Sequence, residues 1–185
     1  ISYVALIVTT ILMPLYFQTV LKVSPLVSGL SLVPAAVLLS LLNPLSGRML
    51  DQFGPRRVAA IGMILIIGGF GLLALFSGRM SLPVAIVLAA CCEAGNAFVM
   101  MPSVTAGANA LPAKLVPDGT AVTTTARQLF GSAGVLLATV SLANLQLRLG
   151  VRPRAFALTF ALFALIGLCG LLLALSLPRK LQTRD

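Results

Sequence analysis

The sequence predicts an all-α membrane protein, a single bundle of six transmembrane helices, and three observations carry that prediction. Apolar residues fill 59% of the 185 positions and charged residues only 9%, against about 25% charged in an ordinary soluble chain. The apolar residues form six long runs, at about 1.5 Å per residue each able to cross roughly 30 Å of hydrocarbon. The Lys and Arg residues gather between those runs, as in membrane proteins, whereas a nucleic-acid binder clusters them on a soluble domain. The net charge of +9 therefore implies no nucleic-acid partner. The first partner expected is the lipid bilayer.

The runs cover about residues 1–21, 26–50, 58–78, 82–111, 119–147 and 155–178. The first is uncharged and contains Pro14, which a bundle tolerates as a kink; Tyr16 and Gln18 lie near its far end, before Lys22 and the turn Val23-Ser24-Pro25. The second is expected to be one helix, with Gly29, Val33, Ala36, Ser40, Asn43 and Gly47 on one face. Such a stripe of small residues permits close helix contact. The eleven residues from Gly47 to Arg57 then read as a charged hairpin clasp, too tight to hold a domain. Asp51 ends the second run, where a negative charge opposes the helix dipole, so a cationic or helix-N-terminal partner is expected for it.

The third run is uncharged and interrupted only by Gly62, Gly68, Gly69 and Gly71. The fourth contains Pro102 and carries Glu93, Asn96, Met100, Ser103 and Gly107 at helical spacing on one face. The fifth repeats the small stripe with Thr120, Thr124, Arg127, Gly131, Gly134, Ala138 and Ser141. The sixth is rich in Leu, Ala and Phe. Polar side chains thus concentrate on the first, fourth and fifth spans, and within a bilayer these face a bundle interior or a water-filled cavity. The third and sixth spans are left as the outer wall.

With six spans, both ends lie on one side. Placing the clasp in the cytoplasm puts seven basic residues there (Arg48, Arg56, Arg57, Lys114, Arg179, Lys180, Arg184) and five opposite (Lys22, Arg79, Arg148, Arg152, Arg154). That bias follows the positive-inside rule and predicts cytoplasmic termini in a plasma membrane, the bacterial inner membrane.

The chain has no histidine, which removes His-based triads and His metal ligands. Cys91, Cys92 and Cys169 lie within apolar runs and read as buried apolar thiols. No metal site and no cofactor are expected. The candidate pathway residues are Glu93, Asn96, Met100, Arg127, Gln128 and Gln18. A carboxylate as deep as Glu93 costs about 2.5–3.5 kcal/mol on insertion scales, which suggests a proton carrier or the counter-charge of a cation; a protonated acid bonded to a neighbouring helix is the plain alternative. Arg127 has two readings, pairing with a carboxylate or substrate in the pathway, or snorkelling to the interface. Tyr16 and Gln18 also read as packing or interfacial residues.

The clasp resembles the loop signature of major facilitator transporters, Gly-x-Leu-Ala-Asp-Arg-x-Gly-Arg-Lys, with Gly47, Asp51, Gly54 and Arg56 on the matching positions and Arg57 beside them. Met49 replaces Leu, and Gln52 and Pro55 replace basic residues. Leu15-Tyr16-Phe17-Gln18 with Ser24-Pro25-Leu26, Gly29 and Pro34 resembles the opening of the C-terminal half of fourteen-helix drug:proton antiporters of the EmrB/QacA type. Gly119-Thr120-Ala121 leading to Arg127-Gln128-Leu129 and Gly131 to Gly134 resembles their second-last helix. The resemblance implies the C-terminal six-helix half of a larger carrier, built from two inverted three-helix repeats, with the N-terminal half as its missing partner. With that resemblance the clasp, Gly47, Asp51, Gly54, Arg56 and Arg57, reads as a conformational latch, the plain alternative being an ordinary solvated turn. The function implied is proton-coupled efflux of small amphipathic or cationic compounds by alternating access, with the proton gradient as energy source. Two other classes are weighed. An intramembrane enzyme lacks its usual acid–base or nucleophile constellation, and a non-transporting six-helix fragment would serve only as an assembly or regulatory partner.

Overall fold

The computed structural model describes residues 1–109, 111–150 and 153–177. Seven α-helices occupy them: α1 (Ser2–Thr19), α2 (Pro25–Leu30), α3 (Val33–Phe53), α4 (Pro55–Phe76), α5 (Leu82–Asn109), α6 (Val116–Leu149) and α7 (Pro153–Leu175), with a single 3₁₀ turn at Ala113–Leu115. Six spans are long and apolar enough to cross a membrane, α2 and α3 together making the second. The end of the sixth run at Pro178 and the basic residues Arg152, Arg179, Lys180 and Arg184 lie outside the described residues.

Prolines begin three of the helices, at Pro25, Pro55 and Pro153, where a missing N–H costs nothing and the fixed φ suits the first turn. The second span differs from the single helix expected. It breaks at Ser31 and Leu32, between α2 and α3. Pro34 has no N–H to offer the carbonyl of Leu30, and its ring crowds that carbonyl. The N–H groups of Ser31 and Leu32 instead turn back to Val27 and Gly29.

The clasp also differs from a hairpin. Residues Gly47 to Phe53 continue α3, and Pro55 already opens α4, so the turn is Gly54 alone. Gly54 has φ 80° and ψ 163°, a conformation open to glycine and costly for other residues. Its N–H donates to the carbonyl of Leu50, at 2.9 Å. Asp51, Gln52 and Phe53 are exposed, and Asp51 has no ion pair among the described residues. Among the described residues, the cationic partner expected for it is not found.

The bundle closes around α4, which packs most extensively on α5 and α7, while α3 lies on α5 and α1 on α5 and α6. Matching the first three spans with the last three makes the α3–α5 contact equivalent to the α6–α1 contact, as two inverted repeats require. The equivalence is uneven, because α4 holds α5 far more closely than α7 holds α1. The core between α1, α4 and α7 is aromatic. Tyr16 meets the ring of Phe156 edge-on at 5.3 Å, and Phe160 and Phe163 stack at a tilt on Phe70. The Tyr16 hydroxyl donates to the carbonyl of Ser77 at 2.5 Å, closing the C-terminal end of α4, where a carbonyl has no helical partner. Tyr16 is thus a packing residue. Both α4 and α7 turn one apolar face outward, Ile64, Leu72 and Leu75 on one and Leu165, Leu172 and Leu173 on the other. Their other faces belong to the core, so each is half wall and half centre. The thiols divide similarly: Cys92 is buried, Cys91 half-buried, and Cys169 exposed on the outer face of α7, not buried as expected.

Candidate substrate and proton site

The buried acid of the bundle, Glu93, sits on α5, and glycines decide how that helix is held. A methyl group at Gly62 would lie 2.6 Å from the carbonyl oxygen of Gly95, and one at Gly95 would lie 2.6 Å from that of Gly62. About two turns along α4, a methyl at Gly69 would overlap the sulfur of Cys92. Backbones approach this closely only where side chains are absent. The crossing fixes the rotation of α5, and residues Cys92 to Val99 are buried on every side.

Glu93 and Asn96 lie in that buried stretch, 6% and 1% exposed. Glu93 stands eleven residues beyond Leu82, about 17 Å along the helix. Asn96 Nδ2 donates to Glu93 Oε2 at 3.4 Å, across one helical turn. The side-chain oxygen Oδ1 of Asn96 has no partner among the described residues, and the same holds for Asn43 Oδ1 and Ser46 Oγ on the adjoining α3. Buried polar atoms are nearly always paired, so this part of the bundle has unused capacity for hydrogen bonding. Sequence reasoning placed Asn43 on a packing stripe and passed over Ser46. Met100 is half-buried below Asn96, and Ser103 and Gly107 continue the face into the open.

Arg127 lies apart from Glu93, on α6. Its guanidinium stands 5.0 Å from the ring centroid of Tyr3, a cation–π contact that keeps a charge inside the bundle at reduced cost. It lines a cavity of about 50 Å³ between the end of α5 and the start of α6, together with Gly107, Thr120, Thr123 and Thr124. Tyr3 was missed because it belongs to α1, and nothing local in either segment announces that pairing. Gln128 points outward. Gln18 is also exposed, and its amide donates to Ser28 Oγ on α2 at 3.3 Å, away from both Glu93 and Arg127. Among the described residues no three acidic, Cys or His side chains come together as metal ligands.

The bundle therefore has six spans, a glycine-locked fourth span bearing a buried acid, and a basic residue facing a polar cavity from the fifth. Residues 1–135 match the sequence model of the Major Facilitator Superfamily. The chain belongs to the Major Facilitator Superfamily. It is an integral membrane protein. It is 40% identical over 139 residues to the lincomycin resistance protein LmrB of Listeria innocua, covering 75% of this chain and 29% of that protein. It is 34% identical over 183 residues to an uncharacterized MFS-type transporter, YcnB, of Bacillus subtilis, covering 96% of this chain and 39% of that one. A multidrug resistance protein B homolog of Mycobacterium tuberculosis is 31% identical over 134 residues, with 71% of this chain and 25% of its own length covered. The chain thus spans well under half the length of these superfamily relatives.

Proposed function

We propose that this chain is one six-helix half of a proton-coupled exporter of amphipathic or cationic compounds, which works by alternating access against a second six-helix bundle. The observation that carries the proposal is Glu93, an acid held on a rigid helix deep in the membrane, with Asn96 its one hydrogen-bond partner among the described residues. A lone carboxyl in that position exchanges a proton for a cation: it is neutral when it holds the proton and attractive to a cation when it does not. Adaptable Met100 and the polar face beyond it suit varied apolar cations. The names of the relatives, resistance to lincomycin and to multiple drugs, support the direction and breadth of transport. Their greater length supports a second bundle as partner. The chain performs no catalysis, needs no cofactor besides the proton gradient, and sits in the plasma membrane with the clasp on the cytoplasmic side. There Gly47, Asp51, Gly54, Arg56 and Arg57 latch the inner end, Asp51 reaching a partner on the other bundle.

Glu93→Gln in the complete transporter keeps the shape and the bond to Asn96 but holds no exchangeable charge. Proton-driven export of a cationic substrate should fall at least tenfold while export of a neutral one persists. Unchanged affinity, rate and pH dependence for cations, at normal expression, would make Glu93 structural.

A further inference from the structure

At the end of the bundle opposite Gly54, the second span begins with a six-residue helix set between two breaks. Before α2, Lys22 has φ 58°, a left-handed conformation that residues other than glycine seldom adopt. After it comes the break at Ser31 and Leu32. The outward side of α2 carries Leu26 and Leu30, 73% and 59% exposed. Its inward side carries Ser28, with no exposure at all. Ser28 Oγ donates to the carbonyl of Pro14 at 3.2 Å and accepts from Gln18 Nε2 at 3.3 Å, both on α1.

The other two hydroxyls of this corner serve α2 itself. Ser24 Oγ accepts from the N–H of Val27, capping the helix start, and Ser31 Oγ donates to the carbonyl of Val27. Among the described residues, the side-chain hydrogen bonds joining α2 to α1 are therefore the two made by Ser28. A helix of six residues does not persist by its own backbone bonds, since nucleation is unfavourable and so few bonds follow it. It holds its place through what it rests on.

We propose that α2 is a hinged flap, pivoting at Lys22 and at Ser31–Leu32 and latched onto α1 by Ser28, whose release opens the end of the bundle opposite the clasp. The flap rests on this geometry and not on the proposed transport function. The break keeps its motion separate from α3, whose packing on α5 is undisturbed when α2 swings.

Lys22 provides a native reporter. Trypsin must draw the residues on both sides of the bond into its cleft, and those after Lys22 are free to enter only when α2 swings off α1 and the Val23 N–H leaves the carbonyl of Phe17, which it meets at 3.2 Å. The full chain in lipid nanodiscs is treated with trypsin, and the rate at which a peptide beginning at Val23 appears is followed by mass spectrometry. Where opening is fast relative to cleavage, this rate follows the population of the open form. Ser28→Ala removes both bonds and is expected to raise the rate about tenfold, on typical net hydrogen-bond strengths. Gln18→Leu removes one and is expected to raise it about threefold. Thr19→Val removes a hydroxyl that bonds only Leu15 in its own helix, and the rate stays at the wild-type value. Wild-type rates in both Ser28→Ala and Gln18→Leu overturn the latch, and so does an equal acceleration in Thr19→Val. If Ser28→Ala does not insert, Gln18→Leu decides, since Gln18 is exposed and its replacement touches little else.

Discussion

Replacing Gly62 by alanine puts one methyl group where α4 and α5 touch. That carbon would lie 2.6 Å from Gly95 O, 2.7 Å from Val99 Cγ2 and 3.0 Å from Phe98 Cβ. An ordinary carbon–oxygen contact is about 3.3 Å, so the helices must part by about 0.7 Å, and the nearest obstacle is backbone that cannot rotate away. Overpacking of this kind costs about 1–3 kcal/mol. Alanine returns up to about 1 kcal/mol in helix propensity, leaving a net loss of about 0–3 kcal/mol at a site where most glycines would gain. Gly68, on the same helix, supplies the reference, because a methyl there meets nothing within 4 Å. Gly68→Ala receives the propensity gain without the clash, so the two variants should differ by about 1–3 kcal/mol. Unfolding of the purified chain in mixed micelles by increasing SDS, followed by circular dichroism, measures both. Equal stability of Gly62→Ala and Gly68→Ala would refute the crossing as the element that fixes α5.

Two further outcomes test the core and the topology. Tyr16→Phe keeps the aromatic cluster but leaves the buried carbonyl of Ser77 without its donor, so the same titration should show a loss of about 1–3 kcal/mol. Single cysteines at Gln52 and Ser81, in a background without Cys91, Cys92 and Cys169, report orientation in intact cells: Ser81 should react with an impermeant maleimide from outside, and Gln52 only after permeabilisation.

The six spans were legible because burial in lipid is a demand on composition, met run by run along the chain. Helix ends were less so, for two reasons visible at particular residues. Arg48 and Asp51 mark where the second span leaves the membrane, yet α3 continues to Phe53, because a charged residue in the interface has no cause to stop helical hydrogen bonding. Prolines are equally ambiguous. Pro14, Pro44 and Pro102 lie inside unbroken helices, while Pro34 accompanies a break; neighbouring contacts decide, and these are tertiary. The bond between Glu93 and Asn96 followed from a spacing of three on one helix. The contact of Arg127 with Tyr3, and the presence of Asn43 and Ser46 on the helix against α5, depend on which spans are neighbours.

The small-residue stripes show the same division, and they lead to a prediction about the free surface. Both stripes signal close approach by another helix, but neither says whose. On α6 the answer lies within the chain: methyl groups at Gly131 and Gly134 would run into Tyr3, Ile7 and Val4 of α1, and Ala138 is buried. That half of the stripe holds α1. On the second span the stripe stays open. A methyl group at Gly29 or Gly47 would meet nothing within 4 Å, and Ala36 and Ser40 are exposed. In isolation the chain should therefore self-associate through α3 and not through the middle of α6, since small residues in a membrane gain by packing against another helix. With the native cysteines replaced, Ser40→Cys in vesicles containing only this chain should give a disulfide-linked dimer under mild oxidation, and Ala138→Cys should give none. A dimer through residue 138 at the rate seen for residue 40 would mean that α6 separates readily from α1, and that the contact made by Gly131 and Gly134 does not hold in the bilayer.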